Sequence, residues 1–425
     1  MTWNLRLAYR AVAVVTAAAL PACGPSESDL APADITVYEG ARLIVGDGSV
    51  IDDATFVVEE GRFTMVGARG AISVPAGTRH VDLTGRTVMP AIVNTHVHLA
   101  STREERLAQL EHMAYYGAAA AVSLGQDEGE EPFAMRDEVL AGAARSLTAG
   151  RGITTPEPGR SEAPYWVTTE AGARTAVREL AARRVGLVKV WVDDRNGQYE
   201  KLSPELYGAV IDEAHAHGLR VTAHVYALED ARGLLLAGVD AFAHGVRDRE
   251  VDEAFLTLWR ERPDVVLVPN LPDPGVAVDL AWITTVPAEQ LAEMQARSTD
   301  RPEAQRAFEI QATNLAALYE AGVPIAFGTD GSTAWAPHLE MEDMVRSGMS
   351  SGDVIVAATL TSARLVGLES ELGSVTPGKS ADFIVLDADP LEEITNTRRI
   401  SDVYLRGEAL DREALRARVL GTAAP

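Results

Sequence analysis

At 425 residues, with 47% hydrophobic and 24% charged side chains, the chain has a globular composition and exceeds what one hydrophobic core usually organises. A large domain with a smaller companion is therefore expected. The formal net charge of −24 speaks against nucleic acid or an anionic membrane surface as partners, and a single cysteine excludes an internal disulfide.

The first 22 residues carry Arg6 and Arg10 and then AVAVVTAAAL, an apolar run of export-signal length, too short to cross a bilayer. Directly after it, Leu20-Pro21-Ala22-Cys23-Gly24 resembles a bacterial lipoprotein signal, which implies cleavage before Cys23 and lipidation of its thiol. The expectation is an exported protein, lipid-anchored in the bacterial envelope and facing periplasm or exterior, whose only membrane contact is that anchor. Residues 23–33 then read as a flexible tether.

Residues 34–87 contain short alternating runs, ITVYEGARLIV, TFVVEEGRFTMVG and HVDLTGRTV, broken by Gly and Asp in the manner of a β meander. Residues 371–425 have the same texture, with strands expected at Phe383 to Leu386 and Asp402 to Leu405. One small β-sandwich built from both chain ends is predicted.

Between these segments, residues 88–370 alternate short apolar runs with amphipathic helical stretches. Strands are predicted at Val88 to Val93, Ala118 to Val122, Ser146 to Ala149, Val185 to Val190, Arg220 to Ala223, Ala241 to Ala243, Val265 to Val268 and Pro324 to Phe327. Helices are predicted at Glu104 to Tyr116, Glu170 to Arg183, Pro204 to His217, Leu228 to Ala237 and Pro302 to Ala321. Eight strands in such alternation make an α/β fold, a (β/α)8 TIM barrel, whose chemistry belongs at the C-terminal ends of its strands.

Polar residues stand where that rule asks for them. His96 and His98 follow the first apolar run, and in a strand residues i and i+2 face one side, so both imidazoles point the same way. His224 closes RVTAH, His244 closes AFAH, Asp330 follows PIAFGT, and Lys189 sits inside GLVKVWV. Singly, each reads equally as hydrogen-bonded scaffold, and Asp330 as an Asx turn. Together, imidazoles and a carboxylate on one rim suit zinc or a similar divalent ion. Lys189 is costly to bury unpaired, and the bland explanation is a salt bridge to Asp193, Asp194 or Glu213. A second His-x-His, His215 and His217, lies on a helix capped by Ser203 and ended by Gly218, where i and i+2 point about 200° apart and cannot share a metal.

The order HxH, Lys, His, His, Asp on successive strands resembles the amidohydrolase superfamily. GRTVMPAIVNTHVHL and GSVTPGKSADFIVLDADPL support the likeness at both flanks, and KLSPELYGAVIDEAHAHGLRVTAHVYALEDARGLLLAGVDAFAHG resembles its imidazolonepropionase-like and metal-dependent dipeptidase branch. The resemblance implies two divalent ions, zinc foremost, with His96, His98 and Asp330 on one, His224 and His244 on the other, and a CO2-derived carbamate on Lys189 shared between them. It further implies a hydroxide bridging the ions and attacking an amide or dipeptide-like small molecule, Asp330 carrying the proton to the leaving nitrogen, and Tyr226, two residues past His224, donating to the oxyanion.

Two other functions fit the same residues: a mononuclear hydrolase of a cyclic amide, lactone or ester, with Lys189 a free amine and His244 on the substrate, and a surface-anchored binding protein without activity. Residues Arg247, Trp335 and His338, just past the histidine and aspartate strands, are candidates for reading a carboxylate or an aromatic group, and each reads at least as well as an ordinary surface residue. The long segments after strands three and seven are candidate pocket walls. Self-association of the chain is left open.

Overall fold

The computed structural model describes residues 35–74, 77–160 and 162–421. The expected export signal, Cys23 and the tether lie outside the described residues.

Both chain ends enter one eight-stranded sheet. Its order is Glu408–Ala409, Ile400–Leu405, Phe383–Leu386, Thr87–Pro90, Ile35–Ile44, Val50–Glu59 and Arg62–Ala68, with Arg79–Asp82 also paired to Ile35–Ile44. The seam is the antiparallel pairing of Thr87–Pro90 with Phe383–Leu386, which sets Pro90 opposite Phe383. Aromatic side chains fill the core of this sheet: Tyr38 stacks on Phe56 at 4.8 Å and Phe383 on Tyr404 at 4.4 Å between ring centres. Such pairs each add about 0.5–1.5 kcal/mol beyond the area they bury.

Seven parallel strands follow one another around a ring: Ile92–Val97, Ala118–Ser123, Arg145–Thr148, Leu187–Val192, Arg220–Val225, Ala241–Ala243 and Val266–Val268. The line of the third continues into Ile153–Thr154, where Ile153 pairs with Val190 of the fourth. The eighth position, around Ile325, is held more sparsely. Leu267 N–H donates to the Pro324 carbonyl at 3.0 Å, Ala326 N–H to Leu267 at 2.9 Å, and Thr95 N–H to Phe327 at 3.0 Å, which returns the ring to its first strand. Pro324 has no N–H to give, which accounts for the thin ladder. The architecture is a TIM-barrel-like mixed α/β fold.

The first apolar run divides differently from expectation. Thr87–Pro90 belongs to the two-ended sheet, Ala91 N–H donates to Asp382 at 3.1 Å, and the barrel strand begins at Ile92. Pro90 ends the first ladder because it lacks a donor. His96 thus lies inside its strand and His98 just beyond it.

The helices Arg103–Tyr115, Glu170–Ala182, Pro204–Ala216, Leu228–Ala237 and Pro302–Glu320 start and stop through local chemistry. Thr102, Thr169 and Ser203 cap three of them by accepting from the Glu105, Gly172 and Leu206 N–H groups. On the third, His215 contacts Asp240 at 2.9 Å and His217 contacts Glu213 at 3.4 Å, so these histidines are engaged on the helix surface.

Candidate active site

The rim at the strands' C-terminal ends gathers four of the predicted residues closely. Asp330 is pinned to strand one, because the N–H groups of Thr329 and Asp330 both donate to the His96 carbonyl, at 3.1 and 2.9 Å. Its Oδ1 lies 3.1 Å from His96 Nε2 and 2.9 Å from His98 Nε2, and its Oδ2 lies 3.5 Å from His244 Nε2. The ligand atoms of His96, His244 and Asp330 all lie within 4.8 Å of one another. Burial acts to raise the Asp330 pKa, but hydrogen bonding with His96 and His98 outweighs it and holds the carboxyl well below the usual range.

Three residues that follow barrel strands have positive φ: Asn270 at +44° and Asp330 at +52° lie in the left-handed region that Asn and Asp tolerate, whereas His244 at +147° is strained.

The imidazoles are electrically prepared for a cation. Burial lowers His96 to about 4 and His224 to about 3, and pushes His244 well down, so all three are neutral near pH 7 with lone pairs to offer. His96 Nδ1 bonds Asn270 Oδ1 at 3.0 Å. If that nitrogen carries the single proton, Nε2 presents a lone pair to a carboxylate oxygen. In the other tautomer Nε2 carries the proton and donates to Asp330; with the proton held on Nδ1 by Asn270, Nε2 and the carboxylate could share a cation instead. The Nδ1 atoms of His98 and His244 are buried without partners.

Lys189 is fully buried on strand four and its Nζ has no hydrogen-bond partner. None of the carboxylates expected to pair with it does so: Asp193 binds Arg195 at 2.6 Å, Asp194 Oδ1 accepts from the Gly197 N–H, and Glu213 binds Arg178 at 2.7 Å. Those side chains lie beyond the strand end or on the outer helices, where arginines reach Asp193 and Glu213 first and a backbone N–H reaches Asp194. Burial, with Arg247 and Arg195 adding to it against Asp330, lowers the Lys189 amine to about 7.

His224 is placed apart from the tight cluster. Its ring centre lies 4.7 Å from that of His244, yet its Nε2 contacts Asp193 Oδ2 at 2.9 Å and Arg195 Nη1 at 3.0 Å. Arg195 in turn binds the buried Glu157 at 3.2 Å, which carries the segment after strand three into the site. Burial opposes ionisation of Asp193, but the His224 bond and the Arg195 N–H hold its carboxyl well below the usual range. Tyr226 is 41% exposed, and its hydroxyl makes no hydrogen bond among the described residues.

Asn270, Asp193 and Arg195 were not among the predicted site residues. Asn270 follows VLVP as His224 follows RVTA, so the strand-end rule would have found it; the other two lie on a loop whose course the sequence does not disclose. His338 moves the other way: it is 1% exposed, with Nδ1 bonded to Thr397 Oγ1 at 3.0 Å and Nε2 to the Tyr116 carbonyl at 3.1 Å, a scaffold histidine and not a substrate reader. Trp335 lines a cavity of about 510 Å³ that reaches Thr329, with Leu271, Val278 and Leu280 from the segment after strand seven on its other wall.

Gly125, at the end of strand two, makes room for Lys189. A Cβ there would lie 2.6 Å from the Trp191 ring and 2.9 Å from Lys189 Cγ, and its φ is +92°. Gly125→Ala is expected to destabilise the fold by about 1–3 kcal/mol through overpacking, more with the φ penalty, and to lower activity by displacing Lys189. A denaturant midpoint equal to wild type would remove this role.

Buried histidines, a lysine and an aspartate thus gather at the C-terminal rim of a parallel barrel, and His96, His244 and Asp330 form a group that could hold a metal ion. The chain belongs to the Amidohydrolase family, which it matches over residues 87–410. It is 27% identical over 395 residues to the imidazolonepropionase of Deinococcus radiodurans, covering 86% of this chain and 94% of that protein. It is also 27% identical over 402 residues to a 5-methylthioadenosine/S-adenosylhomocysteine deaminase of Symbiobacterium thermophilum, covering 83% and 85%. A putative prolidase from Bifidobacterium longum superposes with a TM-score of 0.73 at 28% identity, covering 91% of this chain and 99% of that one. The protein is an enzyme, a hydrolase acting on carbon–nitrogen bonds.

Proposed function

We propose that the protein hydrolyses an amide or peptide-like bond of a small molecule at a binuclear metal centre. The observation that carries this reading is the buried Lys189 amine beside the His96, His244 and Asp330 cluster, which has no hydrogen-bond or carboxylate partner and meets only the Trp191 ring, whose centre lies 5.6 Å from its Nζ. His96, His98 and Asp330 would hold one ion, and His224 and His244 would hold the other if Asp193 gave up its contact with His224. The neutral Lys189 amine would add to CO2 with loss of one proton, giving a carbamate whose oxygens could serve as metal ligands. Zinc suits this donor set, and bound ions would supply Lewis acidity and acidified water.

The chain's own residues do the rest. Asp330 takes a proton and returns it to the leaving nitrogen, because an amine leaves poorly without one. Tyr226 turns its free hydroxyl to the oxygen on which negative charge develops. The cavity beside Thr329 receives the apolar part of the substrate. The relatives named for imidazolonepropionase and prolidase activity favour a cyclic amide or a dipeptide-like substrate.

One observation favours a mononuclear alternative: His224 Nε2 is already engaged by Asp193 and Arg195. Metal analysis separates the two, with about two ions per chain expected for the first and one for the second. Turnover of purified, metal-loaded protein on a panel of dipeptides and N-acyl amino acids tests the function itself, and a panel without any cleaved amide would sink it.

The same proposal places the enzyme on a lipid anchor at Cys23. Cys23→Ala is expected to move the protein from the membrane fraction to the soluble one with turnover intact; a wild type already found soluble, beginning at another residue, would refute it.

A further inference from the structure

Three cationic side chains surround the centre of a chain whose net charge is −24. Two have assigned work: Arg195 is bound to Asp193 and Glu157, and Lys189 is the carbamate carrier proposed above. Arg247 has none. It stands three residues beyond His244, its Nε is buried without a partner, and its guanidinium forms no hydrogen bond or ion pair among the described residues. Asp330, Asp193 and Tyr226 act on it only through space. Only the Nε is shut off from water; the residue as a whole is part exposed, so the Nη donors of its rigid fork keep access to solvent and to a ligand.

The backbone holds Arg247 firmly in this position. Its own N–H and that of Asp248 donate to the Tyr226 carbonyl at 2.9 and 3.3 Å, stitching the turn after strand six to the end of strand five. Asn314, 1% exposed, clamps the other side by donating to the carbonyls of Val246 and Arg249, both at 3.0 Å, and accepting from the Val251 N–H at 2.7 Å. An arginine fixed at both flanks beside Tyr226, yet without an anion, is a prepared receptor.

We infer that Arg247 binds the carboxylate of the substrate, so that the amide cleaved belongs to a molecule with a free carboxylate near its scissile bond. This inference rests on the amide-hydrolase reading. The fork pairs with both carboxylate oxygens while Tyr226 faces the reacting carbonyl, and a neutral amide of the same shape leaves the guanidinium unpaired.

The test compares dipeptides with the same dipeptides carrying a C-terminal carboxamide, on metal-loaded wild type and Arg247→Met. Wild type is expected to prefer the carboxylate by about 10–100-fold in kcat/KM, mostly through KM, and Arg247→Met to lose that preference while cleaving the carboxamide at a comparable rate. Calorimetry with N-acetyl amino acids and their carboxamides reads the same discrimination without turnover. The melting temperature of Arg247→Met should equal or exceed that of wild type, since an unpaired, part-buried cation is removed. Equal treatment of carboxylate and carboxamide by wild type in both measurements overturns the inference, even where amide hydrolysis itself is found. A preference that survives in Arg247→Met overturns it too. Loss of a metal equivalent in that variant would assign Arg247 to the Lys189 carbamate instead, and a clearly lower melting temperature would make it scaffold. If no amide is cleaved at all, the amide-hydrolase reading fails first, and calorimetry alone then decides whether Arg247 selects carboxylates.

Discussion

Asp330→Asn is expected to fold normally, retain most of its metal and lose turnover by about 10²–10⁴-fold, toward the upper end because one residue serves as both ligand and proton carrier. Asparagine keeps the shape and one oxygen, and the backbone bonds that fix Asp330 to the His96 carbonyl do not involve the side chain. Basicity is what disappears. The acid limb of the wild-type pH profile should report the coupled unit of carboxylate, histidines and water, not one group. A structural Asx turn predicts the reverse, a loss of stability with turnover largely intact. Measured kcat within threefold of wild type would therefore defeat the catalytic role.

Lys189→Ala should abolish most activity and release about one metal ion, and a short carboxylic acid entering the vacated space should restore part of both. Full activity with unchanged metal content would remove the bridging role. The amine also leaves a mark on stability. Burial lowers its pKa from 10.5 to about 7, so between those values the unfolded chain holds a proton that the folded chain has released. Metal-free protein should accordingly gain stability as pH rises from about 7 to about 10.5, with a slope of at most about 1.4 kcal/mol per pH unit from this group. Below about pH 7 both states are protonated and the group adds no further slope. Urea midpoints for metal-free wild type and Lys189→Met across that range test the sign; identical pH dependence would show that the amine is not desolvated.

Helix ends were legible because their chemistry is local. Ser203 caps, Pro204 opens and Gly218, at φ +70°, ends one helix, and a reader needs only neighbouring residues to see it. The barrel was legible in its alternation, and His96, His98, His244 and Asp330 meet because strand ends share one rim. Other features are contacts between segments distant in sequence. One apolar run serves two sheets because Pro90 meets Phe383, a pairing that no local pattern announces. His224 is drawn to Asp193 by the path of a loop, and His338 is consumed by Tyr116 and Thr397 once the chain's end folds back. The strand-end rule is blind to whether such a histidine already has company.

The seam between Thr87–Pro90 and Phe383–Leu386 has a consequence for biosynthesis. Strand one of the barrel follows its seam strand after a single residue, Ala91, so the segment bearing His96 and His98 hangs from a ladder whose other half emerges from the ribosome only after the whole barrel. The nascent chain must carry that open edge through the translation of the whole barrel, exposed to wrong pairing and to aggregation. A stop codon ahead of Phe383 would consequently harm more than the tail: it would strip the support from the opposite end of the polypeptide, loosening the histidine pair from behind.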